Sequence, residues 1–170
     1  MIRIVIAEDQ EMLLEAMGSL LNLEDDMEVV GLAGNGEEAL TLIHQLQPDV
    51  CLMDIEMPKM TGLEAAEAIN SLLCKVIILT TFARPGYFGR ALKADVRGYL
   101  LKDSPSEELA SSIRSIMDGK RIYCPELMDA DSSAAKLDDV NEVVNQKGKP
   151  IGTVRSYFST ILDKIKLPTG

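Results

Sequence analysis

Short apolar runs recur along this chain, each followed by a polar residue and then by apolar positions at helical spacing. The runs at 2–7, 27–33, 49–53, 75–79 and 96–101 are apolar mostly on successive positions, which is how parallel strands covered on both faces read. Between them, 10–22 carries Met12, Leu13, Ala16, Met17, Leu20 and Leu21 along a predicted first helix, the methionines serving as core filler. Ala39, Leu40, Ile43 and Leu46 mark one face of a second, opened by the Gly34-Asn35-Gly36 turn and stopped by Pro48. A third helix is expected over 62–70, with Gly62 read as a source of backbone freedom after Met57-Pro58. The fourth, over 86–93, is short and interrupted by glycine. Ser104-Pro105-Ser106-Glu107-Glu108 predicts the start of a fifth, with Ser104 as N-cap and Gly119 past its end.

Alternating strands and helices make an open α/β sheet, doubly wound with parallel strands, and the common five-stranded order 2-1-3-4-5 is adopted by analogy. In such sheets ligands bind beyond the carboxyl ends of the strands, where the order reverses. Glu8 and Asp9 follow the first strand, Asp54 the third, Thr80 the fourth and Lys102 the fifth. Strands one and three are neighbours in that order, so Glu8, Asp9 and Asp54 converge.

Crowded carboxylates repel unless a cation neutralises them. Magnesium suits the set, because it takes one or two carboxylates plus other oxygens; Asp9, Asp54 and the main-chain carbonyl of Glu56 are the expected ligands, with Glu8 acting through water. Asp54 is the candidate nucleophile toward phosphorus. Lys102 would spread the charge on a transferred phosphoryl group, and Thr80 would donate its hydroxyl to a phosphoryl oxygen.

Composition narrows the class. A net charge of −10 argues against a generic nucleic-acid binder. No apolar run is long enough for a membrane helix and no signal-peptide layout opens the chain, so a cytoplasmic protein without direct membrane insertion is expected. Cys51, Cys74 and Cys124 lack metal spacing and read as buried, reduced thiols. His44, the only histidine, reads as a surface residue, and Glu24-Asp25-Asp26 as a solvated loop.

Taken in order and spacing, Glu8-Asp9, Asp54-Ile55-Glu56-Met57-Pro58 with Gly62, Thr80, and Gly98-Tyr99-Leu100-Leu101-Lys102-Asp103 resemble the response-regulator receiver domain of two-component signalling, over about 1–128. Residues 79–87 (LTTFARPGY) and 101–110 (LKDSPSEELA) resemble its NarL/FixJ, LuxR-type branch. The resemblance implies a flavodoxin-like (βα)5 receiver whose Asp54 accepts phosphate from a membrane-bound sensor histidine kinase. It implies Glu8 and Asp9 for metal, Thr80 and Lys102 as the phosphate-sensing pair, Tyr99 as a rotameric switch turning inward, and Glu56 and Phe82 at positions that tune dephosphorylation. A phosphorylation-dependent homodimer is expected, through a face with Lys93, Arg97 and Arg114 or through the first and last helices. Such a protein is a phosphoacceptor that assists its own phosphorylation and dephosphorylation, not an enzyme on other substrates.

Other readings fit less well. A haloacid-dehalogenase-like phosphatase needs a second Asp two residues after the nucleophile, where this chain has Glu56. In a flavodoxin-like electron carrier, Glu8-Asp9 would repel the cofactor phosphate. A stand-alone receiver acting through protein contacts differs only in the tail. The expected division is a receiver over 1–120, a linker over 121–135 and a shortened remnant of a LuxR-type helix-turn-helix domain over 136–170. Within the last, 151–165 resembles a recognition helix, with Thr153 and Arg155 as candidate contacts to promoter DNA, but the helices around it are not recognisable.

Overall fold

The computed structural model describes residues 1–69, 74–82, 84–102 and 106–128. Strands β1 (Ile2–Ala7), β2 (Met27–Ala33), β3 (Val50–Asp54), β4 (Lys75–Thr80), β5 (Gly98–Leu101) and β6 (Ile122–Tyr123) alternate with helices α1 (Glu11–Leu21), α2 (Gly36–Leu46), α3 (Gly62–Ala68), α4 (Tyr87–Lys93), α5 (Ser106–Met117) and α6 (Pro125–Met128). The strands form one sheet in the order β2-β1-β3-β4-β5-β6, and every neighbouring pair is parallel. The expected order of five is present. A sixth strand extends it, too short for any periodicity to announce it.

Two cores flank the sheet, because successive strand residues point to opposite faces. On one side Val5, Cys51, Met53, Val76, Ile78 and Tyr99 pack with residues of α2, α3 and α4. On the other Ile4, Ile6, Leu52, Ile77, Leu79 and Leu100 pack with α1 and α5. Burial on both faces explains the uninterrupted apolar runs.

The caps follow local chemistry. Asn35 accepts a hydrogen bond from the Glu38 amide at 3.0 Å and so caps α2. Thr61 and Glu64 form a reciprocal capping box at the start of α3. Helix α4 starts instead at Gly86, whose φ of 87° favours glycine, and has no side-chain cap. Strand β5 begins later than expected: Asp95 adopts φ 57° and Arg97 donates its amide to Val76 before regular pairing starts.

Several side chains sit differently from the sequence reading. Met12 is 57% exposed, not core filler; α1 turns Leu14, Ala16, Met17, Leu20 and Leu21 inward instead. Glu24 and Asp26 are half-buried partners of Arg114 on α5, at 2.6 and 2.7 Å, not freely solvated. Arg114 therefore faces the α1–β2 connection. His44 is exposed as expected. Ser104, Pro105, Thr153 and Arg155 lie outside the described residues, as does the tail from 129. Among the described residues, no helix is long and apolar enough to cross a membrane.

Cys51 and Cys74 are buried and free, while Cys124 is half-buried rather than buried. Burial holds the Cys74 thiol up at about 12 and raises Cys51 strongly. In the native protein a thiol reagent at mildly alkaline pH is expected to label Cys124 before the other two, with all three reacting after denaturation. Rapid labelling of Cys51 in the folded state, followed by mass spectrometry of its peptide, would contradict this packing.

Candidate phosphoryl-acceptor site

Period-two alternation decides which strand-end residues meet. Leu52 and Leu100 both lie in the core beneath α1 and α5, so two residues further on Asp54 and Lys102 emerge on that same side. Lys102 lies just past β5, its amide bonded to the Thr80 carbonyl at 2.9 Å. Its ammonium stands 3.0 Å from an Asp54 oxygen and 2.5 Å from an Oε of Glu8. Glu8 is fully buried and also accepts from the Gln10 amide at 3.1 Å. Asp54 is 7% exposed, its other oxygen taken by the Ile55 amide at 2.8 Å. Asp9 stands exposed at the rim.

One carboxylate oxygen from each of Glu8, Asp9 and Asp54 lies within 4.8 Å of the others. Convergence of this acidic set follows from the adjacency of β1 and β3. Three carboxylates face one ammonium, so the pocket keeps a deficit of positive charge. Burial raises the pKa of Glu8, with Asp54 adding to the rise and Lys102 opposing it. Asp54 is likewise raised by burial against the pull of Lys102. For Lys102, burial favours the neutral amine, but the bond to Glu8 and the charges of Asp54 and Glu8 outweigh it and the pKa rises. Hard oxygen donors with excess negative charge fit a hard divalent cation.

The remaining predicted residues fall around this centre. Thr80 is buried; its hydroxyl donates to the Phe82 carbonyl at 3.0 Å and accepts from the Phe82 amide at 3.3 Å. By alternation with Ile78 it belongs to the α4 side of the sheet, opposite to Asp54 and Lys102. Tyr99, paired with Ile78, is on that side too. Its ring is fully buried. Phe82 is 70% exposed beside the pocket. The Glu56 side chain is exposed and faces α4, accepting from the Tyr87 hydroxyl at 3.1 Å with Arg84 at 3.5 Å.

Glycine plays a role the sequence reading missed. A Cβ on Gly62 would lie 1.9 Å from the main-chain oxygen of Asp54, and one on Gly36 would lie 2.6 Å from that of Met60. Gly62 donates its amide to Ile55 at 2.9 Å, and Gly36 donates to Met60 at 3.0 Å. Close approach, rather than backbone freedom, requires glycine at 62. Together these contacts pin the loop after Asp54.

The response regulator receiver domain family matches residues 4–114. The chain is 58% identical to transcriptional regulatory protein DesR of Bacillus subtilis, over 98% of this chain and 92% of that one. It is 50% identical to the transcriptional regulatory protein YvfU of the same organism, over 97% and 91%. In both matches the aligned stretch, 182 positions, is longer than this chain, so it bridges positions the relatives have and this chain lacks. Among solved structures, a LuxR-family DNA-binding response regulator from Staphylococcus aureus superposes with a TM-score of 0.66 at 45% identity, covering 69% of this chain and 99% of that one.

Gly62→Ala is expected to lower stability by about 1–3 kcal/mol in urea unfolding, because the new methyl must displace the Asp54 carbonyl; an unchanged midpoint would refute the close approach. Lys102→Met leaves Glu8 and Asp54 without their shared cation and raises both carboxyl pKa values further. A carboxyl whose folded pKa exceeds its unfolded value binds protons more tightly when folded, so its contribution is most favourable in acid and declines as pH climbs through that interval. The variant should therefore be less stable than the parent at neutral pH and recover on mild acidification more than the parent does. Parallel pH dependences for the two proteins would refute the shared pairing.

Proposed function

Because this chain belongs to the response regulator receiver family, we propose that it is a two-component response regulator whose Asp54 accepts a phosphoryl group from the phosphohistidine of a sensor histidine kinase. The observation that carries this is a buried Asp54 within 3.0 Å of the Lys102 ammonium and in one cluster with Glu8 and Asp9. An Asp54 oxygen attacks phosphorus, the P–O bond forms as the P–N bond to the histidine breaks, and the histidine nitrogen keeps the electron pair. Lys102 shifts its ammonium toward the phosphoryl oxygens. Thr80 gives up Phe82 and donates its hydroxyl to another.

Asp9, Asp54 and the main-chain carbonyl of Glu56 would hold magnesium, with Glu8 nearby. Bound there, the ion would offset charge on the transferred oxygens. Phosphorylation adds about two negative charges and three acceptor oxygens at Asp54, and the withdrawal of Thr80 is felt by Tyr99 on the same face of the sheet. The receiver is thus a phosphoacceptor that assists its own loading and unloading.

The output is transcriptional control through a phosphorylation-dependent homodimer, using either the α4–β5 surface with Lys93 and Arg97 or α1 and α5. Relatives named as transcriptional regulators at 58% and 50% identity support this. The kinase would be a membrane-bound protein like DesK, the partner of DesR, acting on a cytoplasmic regulator. We divide the chain into a receiver over 1–120, a linker over 121–135 that contributes β6 and α6 to the sheet edge, and a shortened helix-turn-helix remnant over 136–170. In that remnant Thr153 and Arg155 would meet promoter DNA.

One observation favours a second reading. The helices that should surround a recognition helix at 151–165 are not recognisable in the sequence, so a receiver acting through protein contacts alone is the alternative. A gel shift with phosphorylated protein separates the two: sequence-selective retention is expected, and none even at low salt would leave the protein-contact reading.

Acetyl phosphate with magnesium should label the native protein, and Asp54→Asn should lose the label while remaining folded. Equal labelling of that variant would end the assignment of the acceptor.

A further inference from the structure

We propose that β6 and α6 form a strap whose seating is controlled by Tyr99, and that phosphorylation of Asp54 releases it. This rests on the phosphoacceptor reading above and adds the route by which that site reaches the residues following the sheet.

A two-residue strand and a four-residue helix have too little internal bonding to hold their own shape, so the sheet must supply it. Much of that support converges on Tyr99. Tyr123 is its register partner in the sheet, and the Cys124 amide donates to its carbonyl at 2.8 Å. The Tyr99 ring lies 5.6 Å from Phe88 on α4, and Phe88 meets Tyr123 edge-on at 5.4 Å. Three rings in series thus join the buried switch position to the strap. The remaining ties are the Tyr123 hydroxyl to the Val96 carbonyl at 2.9 Å, the Ile122 amide to Arg97 at 3.0 Å, Arg121 to Asp95, and the burial of Leu127.

The other end of the series faces the acceptor site. Thr80 pairs with Leu101, one step along from Ile78 and Tyr99 on the same side of the sheet. Its hydroxyl is engaged with Phe82, on the connection leading into α4. A hydroxyl withdrawn to a phosphoryl oxygen lets go of that connection. Helix α4 has seven residues and no side-chain cap, so it offers little resistance to moving, and it carries Phe88. When Phe88 shifts, Tyr123 loses the ring it packs against, and the amides of Ile122 and Cys124 lose their fixed acceptors.

Hydrogen exchange on the full chain, with and without beryllofluoride and magnesium, tests this. Protection of the Ile122 and Cys124 amides should fall by about tenfold or more on activation, while amides of β1 and β3 hold. Phe88→Leu should exchange rapidly at both amides in either state yet still take label from acetyl phosphate at Asp54. Tyr123→Phe, which keeps the ring and loses only the bond to Val96, should show an intermediate effect. Protein that is labelled at Asp54 but keeps the same protection at 122 and 124 overturns the strap alone. Protein that takes no label overturns the acceptor reading and the strap with it.

Discussion

A single ammonium shared by two buried carboxylates organises this molecule. Lys102 reaches Glu8 from a position 94 residues away and Asp54 across the neighbouring strands. Ion pairs so placed contribute less to stability than their geometry suggests, because removing the charges from water costs much of what their attraction returns. Their value here is positional. They hold Asp54, the Lys102 ammonium and the acidic rim at Asp9 in one place, with more negative charge than the lysine can neutralise. A pocket left in that condition suits a hard cation.

The sheet divides the labour between its faces. Asp54 and Lys102 belong to the side covered by α1 and α5, whereas Thr80 and Tyr99 belong to the side covered by α4. The two sets come nearest at the strand tips, where Asp54 ends β3 and Thr80 ends β4. Helix α4 has seven residues, as α3 does, but it lacks a capping side chain where α3 has its capping box.

Much of this was legible in the sequence because burial on both faces writes itself as unbroken apolar runs. Strand positions follow from that, whereas the sheet order, and with it the convergence of Glu8, Asp9 and Asp54, came by analogy with other doubly wound sheets. What escaped depends on contacts that pattern does not encode. Arg114 finds Glu24 and Asp26 from 90 and 88 residues away, and nothing in an acidic run says which cation will reach it. Met12 is apolar and helical but points outward, since hydrophobic spacing on a short helix leaves the facing direction open to one neighbouring choice. Strand β6 is set by the edge it lies against, not by its own two residues. The side chain of Glu56 leaves the pocket for Tyr87, a partner on another element.

The bare α-carbon of Gly62 has a mechanical consequence. With no side chain intervening, the first turn of α3 rests directly against the carbonyl of Asp54. Helix and strand end are coupled through that contact: pressure on the first turn of α3 reaches the main chain from which the Asp54 carboxylate projects.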